Sequence, residues 1–195
     1  MPVLLRPHSQ PLCRARQLVS GGSCRGIDML NHGYDVVNID LRAPREDLCQ
    51  YIQADLTDFG QVMDTFFTGP AVPHDVESIV HMAANPAPAG FPNPDIFKNN
   101  TLSTYHVFEA ARRLQIKNIV WASSETVLGM PFETLPPYVP LDEEYSPRPE
   151  SAYSLSKVMA EEMARQFCRW DPELKIIGLR LSNIMEPHDY ARFPS

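Results

Sequence analysis

Glycine is scarce in this chain and proline is not: 195 residues hold nine Gly and nineteen Pro. Average usage is roughly 7% Gly and 5% Pro, so the usual order is reversed. Proline lacks a backbone donor and breaks helix interiors, so the excess must sit in loops and turns. Long apolar runs are also missing. No stretch of ~18 apolar residues occurs, so no membrane span and no membrane partner is expected. Basic residues are few, 17 against 24 acidic ones, for a net charge of −7. That balance argues against a nucleic-acid partner held on a basic face. Cys13, Cys24, Cys49 and Cys168 form no CxxC pair, and the six His form no HxxxH pair. Free thiols in a reducing, cytoplasmic compartment and no metal site are the resulting expectations.

What is present suffices for a core, since 44% of the residues are hydrophobic. The length fits one domain, or one and a fragment of a second. Residues 1–27 carry four Arg and no acid, and so differ in kind from the remainder. From residue 33 onward short apolar runs alternate with helical patterns. Strands are predicted at Tyr34–Ile39, Tyr51–Ala54, Val76–Met82, Asn118–Ser123 and Leu174–Leu181. Helices are predicted near Phe59–Phe67, at Asp95–Leu114 with Asp95 as N-cap, and at Ala152–Trp170. This alternation predicts an α/β fold: a doubly wound, Rossmann-like parallel sheet in three α/β/α layers. Twelve of the nineteen Pro fall in two stretches, 70–94 and 131–149. Both are expected near the carboxyl edge of the sheet, where such folds bind ligands.

The sharpest chemical pattern is Tyr153-Ser-Leu-Ser-Lys157. Positions i and i+4 share a helix face, so phenol and ammonium can be neighbours. A free phenol titrates at ~10 and is a poor base at neutral pH, but a nearby cation lowers that value. The pair could then serve as a general acid/base on a hydroxyl or carbonyl. The bland alternative is a solvated Tyr and Lys on a surface helix. Ser123 and Ser124 end a predicted strand, where a hydroxyl can hold a substrate oxygen or merely cap a turn. Asp40 closes the strand Tyr34–Ile39, where a carboxylate can accept both ribose hydroxyls of an adenine dinucleotide and repel a 2′-phosphate. Arg42 lies two residues on and leaves NADP open beside NAD. Asp55-Leu56 follows the next strand, within reach of an adenine amino group; either Asp could equally be a turn residue.

Several ordered segments extend the pattern: Asp55-Leu-Thr-Asp58, Val80-His-Met-Ala-Ala84, Asn100-Thr-Leu-Ser-Thr104, Glu109-Ala-Ala111, Pro147 to Lys157, and Leu179-Arg-Leu-Ser-Asn183 with Pro187. With these, residues 33–187 resemble the extended branch of the short-chain dehydrogenase/reductases, the NAD-dependent epimerase/dehydratase-like proteins acting on sugars and nucleotide sugars. The resemblance implies an NAD cofactor and hydride transfer at a sugar-type alcohol. It makes Tyr153 the acid/base, with Lys157 binding the nicotinamide ribose and depressing the phenol, and Ser124 polarising the substrate oxygen. Asp40, Arg42, Asp55, Leu56, Ala83, Ala84, Asn100 and Ser123 would line the cofactor, Asn100 also buttressing the site. Asn85, Glu125 and Asn183 would face the substrate. Family members often dimerise through the helices placed here at 95–114 and 152–170. Met159, Met163 and Phe167 could serve that contact or the core.

Departures narrow the chemistry. Dehydratases carry an acidic pair where this chain has Glu125-Thr126. Leu128 stands where Tyr usually precedes Gly129, and Asn183-Ile-Met-Glu-Pro187 resembles the uronate-dehydrogenase-like members. These features favour simple oxidation or reduction over epimerisation. The phosphate cradle, a strand followed by GxxGxxG and a helix, should precede Tyr34. The nearest match, Leu18-Val-Ser-Gly21-Gly22-Ser-Cys-Arg-Gly-Ile27, puts Cys24 and Ile27 where the second and third glycines belong. A first strand at Val3-Leu4-Leu5 instead leaves a long connection containing Pro7 and Pro11. Residues 1–27 are thus an atypical segment in the place of the phosphate-binding unit. They read as a leader, a divergent segment or an altered reading frame. Residues 28–187 are the expected Rossmann-like domain. Residues 188–195 would open a substrate region whose greater part is not in this sequence. The competing reading of function is an impaired nucleotide-binding or interaction module.

Overall fold

The computed structural model describes residues 16–19, 29–44, 47–67, 76–86 and 90–184. Six strands form one sheet: β1 (Arg16–Val19), β2 (Asp35–Asp40), β3 (Gln50–Gln53), β4 (Val76–His81), β5 (Asn118–Ser124) and β6 (Lys175–Leu181). Every neighbouring pair is parallel, in the order β3-β2-β1-β4-β5-β6. This is the doubly wound order, and the succession reverses between β1 and β4. Of the two placements open for the first strand, the sheet uses Arg16–Val19. Val3–Leu5 lies outside the described residues, as do Gly21, Gly22, Cys24, Ile27 and Pro187.

Among the described residues the complete helices are α1 (Phe59–Phe67), α2 (Asn93–Arg113) and α3 (Ala152–Trp170), and residues 29–31 are helical as well. α3 coincides with its prediction. α2 starts two residues earlier than predicted, and Asp95 is not its N-cap. Pro92 holds that position with no side-chain cap, and Asp95 sits in the first turn. Pro94 also lies in that turn, where a missing N–H costs nothing. No described helix is long and apolar enough to cross a membrane.

One face of the sheet carries the core. Val37 and Ile39 of β2, Ile79 of β4, and Ile119 and Trp121 of β5 are all buried in one cluster with residues of α1, α2 and α3. Phe108 sits edge-on to Trp121 at 6.1 Å and to Phe167 at 5.8 Å, ring centre to ring centre. Phe167 is thus core, Met163 packs against the core, and Met159 is 42% exposed. The opposite face holds a small cluster: Val36 with Met29, Leu30, Tyr34, Cys49 and Val80. On β6, Ile176 joins the main core and Gly178 lies against the Trp121 indole. Strand alternation therefore turns Ile177 and Leu179 to the other face, where they are 55% and 45% exposed.

Candidate active site

Two clefts open at the carboxyl ends of the strands. The first, about 440 Å³, is lined by Asp40 and Arg42 after β2, Asp55 and Leu56 after β3, and Ala83, Ala84 and Asn85 after β4. The second, about 690 Å³, is lined by Ser123, Ser124 and Glu125 after β5, by Tyr153 of α3, and by Asn183 after β6. Met82 and Pro86 line both clefts, so the two adjoin. Pro131 of the second proline-rich stretch also lines the second cleft. Pro70 and Pro73 precede β4 and lie outside the described residues.

In the first cleft both carboxylates also organise their own turns. Asp40 Oδ1 accepts from the Arg42 backbone N–H at 3.1 Å. Asp55 Oδ1 accepts from Thr57 N and Thr57 Oγ1, each at 2.8 Å. Each carboxylate therefore has a second oxygen for a ligand while the first holds the loop. Asn100, buried on α2, grips the floor. Its Oδ1 accepts the Asn85 N–H at 2.7 Å, and its Nδ2 donates to Asn85 O at 3.1 Å and to Ser156 Oγ at 3.4 Å. The structure thus gives Asn100 a buttressing geometry. It places Asn85 in the first cleft, among the residues expected to hold cofactor, rather than in the second.

The second cleft is set by two helix starts. Ser124 caps the 3₁₀ turn Glu125–Leu128, its hydroxyl accepting from Thr126 N at 3.2 Å. Ser151 and Ser154 form a reciprocal capping box at the start of α3: Ser154 N donates to Ser151 Oγ at 3.0 Å and Ser151 N to Ser154 Oγ at 2.9 Å. Tyr153 lies between them, on the first turn. Lys157, one turn later, is 5% exposed, and its Nζ donates to Ala122 O at 2.7 Å. That ammonium lies 5.4 Å from the centre of the Tyr153 ring. Burial lowers the Lys157 pKa to about 8.

The expected depression of the phenol by Lys157 is not what the structure shows. Burial pushes Tyr153 above the usual phenol value, and a hydrogen bond with Ser124 pulls it partly back. The physical reason is desolvation, which penalises the phenolate, while the ammonium is engaged with a backbone carbonyl instead of the phenol oxygen. Ser123, which lines the second cleft, donates to Glu161 Oε1 at 2.7 Å. Glu161 also receives Arg180 Nε at 2.9 Å and Nη2 at 2.8 Å. Burial alone would raise the Glu161 carboxyl; Arg180 and Ser123 outweigh it and hold it below the usual range.

Three features carried no role in the sequence reading: the Glu161–Arg180 pair, the shared wall at Met82 and Pro86, and buried His81. Glu161 could have been found as the next i+4 step after Tyr153 and Lys157. His81 gave no periodic signal, because its partner comes from a distant helix.

A six-stranded parallel sheet in the doubly wound order, with Ser124, Tyr153 and Lys157 gathered at its carboxyl edge, defines a Rossmann-type protein of the short-chain dehydrogenase/reductase kind. Residues 27–195 match the model of the NAD dependent epimerase/dehydratase family, and the chain belongs to that family. The match begins where the atypical first segment ends. The UDP-glucose 4-epimerase of Bacillus subtilis is 28% identical over 186 residues, covering 88% of this chain and 52% of the relative. The UDP-glucose 4-epimerase of Erwinia amylovora is 26% identical over 185 residues, covering 86% and 51%. This chain therefore spans about half the length of the curated relatives it matches. A short-chain dehydrogenase/reductase superfamily protein of Agrobacterium tumefaciens, solved with bound NAD, superposes with a TM-score of 0.69 at 26% identity, over 84% of this chain and 48% of that one.

Proposed function

We propose that this chain is the nucleotide-binding half of an NAD-dependent enzyme acting on the sugar of a nucleotide sugar, by hydride transfer at an alcohol carbon. The carrying observation is the pair of adjoining clefts. One presents Asp40 and Asp55; the other presents Ser124 and Tyr153; Met82 and Pro86 wall both. A dinucleotide is the ligand shape that spans two such clefts.

The described residues fit that group. Lys157 has three ammonium donors, and one is committed to Ala122. Ala83 and Ala84 leave the wall of the first cleft low. NAD would supply the hydride chemistry when bound. Asp40 would hold the adenosine ribose, and Asp55 the adenine side. Lys157 would bind the nicotinamide ribose. Ser124 would orient the substrate oxygen, and Tyr153 would hold or take its proton, with Glu125 and Asn183 flanking the sugar. The raised phenol value favours the protonated form of Tyr153, suited to giving a proton to a carbonyl oxygen. The departures at Thr126, Leu128 and Met185 favour plain oxidation or reduction, whereas the matched relatives carry 4-epimerase names. Plain oxidation would match the first half-reaction of an epimerase, and plain reduction its second, at the same residues.

NADH titration followed by fluorescence or calorimetry tests this reading, which predicts saturable binding. No binding at millimolar NADH overturns it and leaves the interaction-module reading, which the segment before β2 favours, since Cys24 and Ile27 stand where the second and third cradle glycines belong. Where wild type turns over a nucleotide sugar, Tyr153→Phe should lower turnover by at least ~10²-fold with little change in NADH affinity. A fully active variant would remove Tyr153 from the mechanism.

A further inference from the structure

His81 closes β4 and is buried, 2% exposed. Its Nε2 lies 3.1 Å from Thr104 Oγ1. Thr104 spends its one hydroxyl proton on Asn100 O, at 2.8 Å. The His81 contact must therefore run the other way, with Nε2–H donating to the hydroxyl oxygen. Nδ1 has no partner. A proton there would be a buried donor with no acceptor, so the imidazole is neutral and carries its hydrogen on Nε2. Burial, with the charge of Lys157 contributing, accordingly moves its pKa well below the ordinary histidine value.

Four residues later the chain meets the same helix again, where Asn85 is gripped on both backbone groups by the Asn100 side chain. Asn100 and Thr104 are one turn apart on α2, as His81 and Asn85 are the two ends of one short segment. Between these anchors lie Met82, Ala83 and Ala84, which line the clefts. Asn100 also reaches Ser156, whose hydroxyl donates to Tyr153 O at 2.6 Å.

We propose that His81 is a positioning residue: the first of two anchors that fix residues 82–84 to α2, and through Asn100 to the helix bearing Tyr153. Thr104 is the middle link. Its hydroxyl needs the His81 donor to complete its bonding, and its proton holds the carbonyl of the residue that grips Asn85. That the fixed segment serves a dinucleotide rests on the reading above; that it is fixed by His81 does not.

The direct readout is hydrogen exchange at the Asn85 amide, which needs no ligand. His81→Phe and Thr104→Val should each speed it about tenfold, the effect of losing one buried hydrogen bond, while amides of Ile119 and Trp121 in β5 keep their rates. The double variant should exchange no faster than either single variant, because both cut one chain. His81→Gln, whose amide nitrogen can replace Nε2–H, should restore slow exchange. ¹⁵N shifts of the His81 ring should show the Nε2–H form. Unchanged Asn85 exchange in Thr104→Val, additive effects in the double variant, or the Nδ1–H form would each overturn the assignment. Thr104→Val keeps the test open where His81→Phe fails to fold. Failure of wild type to bind NADH would count against the proposed function and leave this test intact.

Discussion

Among the described residues, the two faces of the sheet are packed differently. Toward α2 and α3, β2, β4 and β5 present Ile39, Ile79, Ile119 and Trp121, all sealed from solvent. On the other side the described residues pack around Val36, and β6 leaves Ile177 and Leu179 more than two-fifths exposed. Strands of similar apolar content therefore end in different environments. Apolar sequence prepares a strand for burial; a partner element must supply it. The covered face also holds the chemistry-bearing side chains at its rim, since Lys157 and Tyr153 ride on the helix that seals it.

Four substitutions would break or sharpen this contrast. The largest loss should come from Trp121→Ala, which removes the ring against Phe108 and lies on the covered face. About 3–5 kcal/mol of stability should go, read by urea denaturation. Lys157→Met, on the same face, should move the other way. The amine holds its proton less tightly folded, at about 8, than unfolded, at 10.5. Between those values the unfolded chain binds more protons, so wild-type stability rises with pH across that window, and below it the full penalty stands. The variant should flatten that rise and gain on the order of 2–3 kcal/mol at pH 7, less the lost bond to Ala122. A variant with the wild-type pH profile would show that Lys157 is not buried as a charge.

Gly178→Ala tests how tightly β6 meets the covered face. A Cβ there would stand 2.9 Å from Trp121 Nε1, and overpacking of this kind costs about 1–3 kcal/mol. The smallest effect belongs to its neighbour. Leu179→Ser on the open face should change stability by less than about 0.5 kcal/mol. A loss matching that of Gly178→Ala would mean that the open face is covered in solution, and the contrast would fail.

Legibility in the sequence varied by element. The order of strands and helices was readable because short apolar, β-branched runs mark β2, β4 and β5 between helical patterns. α3 was readable to its ends, since Ser151 is a strong cap and Pro172 pushes Asp171 out of the helix. The start of α2 was misread because Asp95 looks like a cap, while Pro94, a breaker by composition, is tolerated in a first turn. The pairing of Tyr153 and Lys157 followed from their i, i+4 spacing, and Ser124 joined them through the family resemblance. Their electrostatics did not: the raised phenol and lowered ammonium come from burial, which only the packing of α3 on β5 sets. The His81–Thr104 contact joins residues 23 apart in sequence, and no local pattern announces it.

The serine clasp at the start of α3 has one more consequence. A helix end normally frays, and a side chain on its first turn samples many directions. Here Ser151 and Ser154 close on each other on either side of Tyr153, with Ser154 Oγ also donating to Ser151 O at 3.0 Å. The backbone that carries the phenol is therefore held by folding itself. On the proposed mechanism, the entropy of ordering that backbone is lost during folding and need not be lost again at each encounter with substrate.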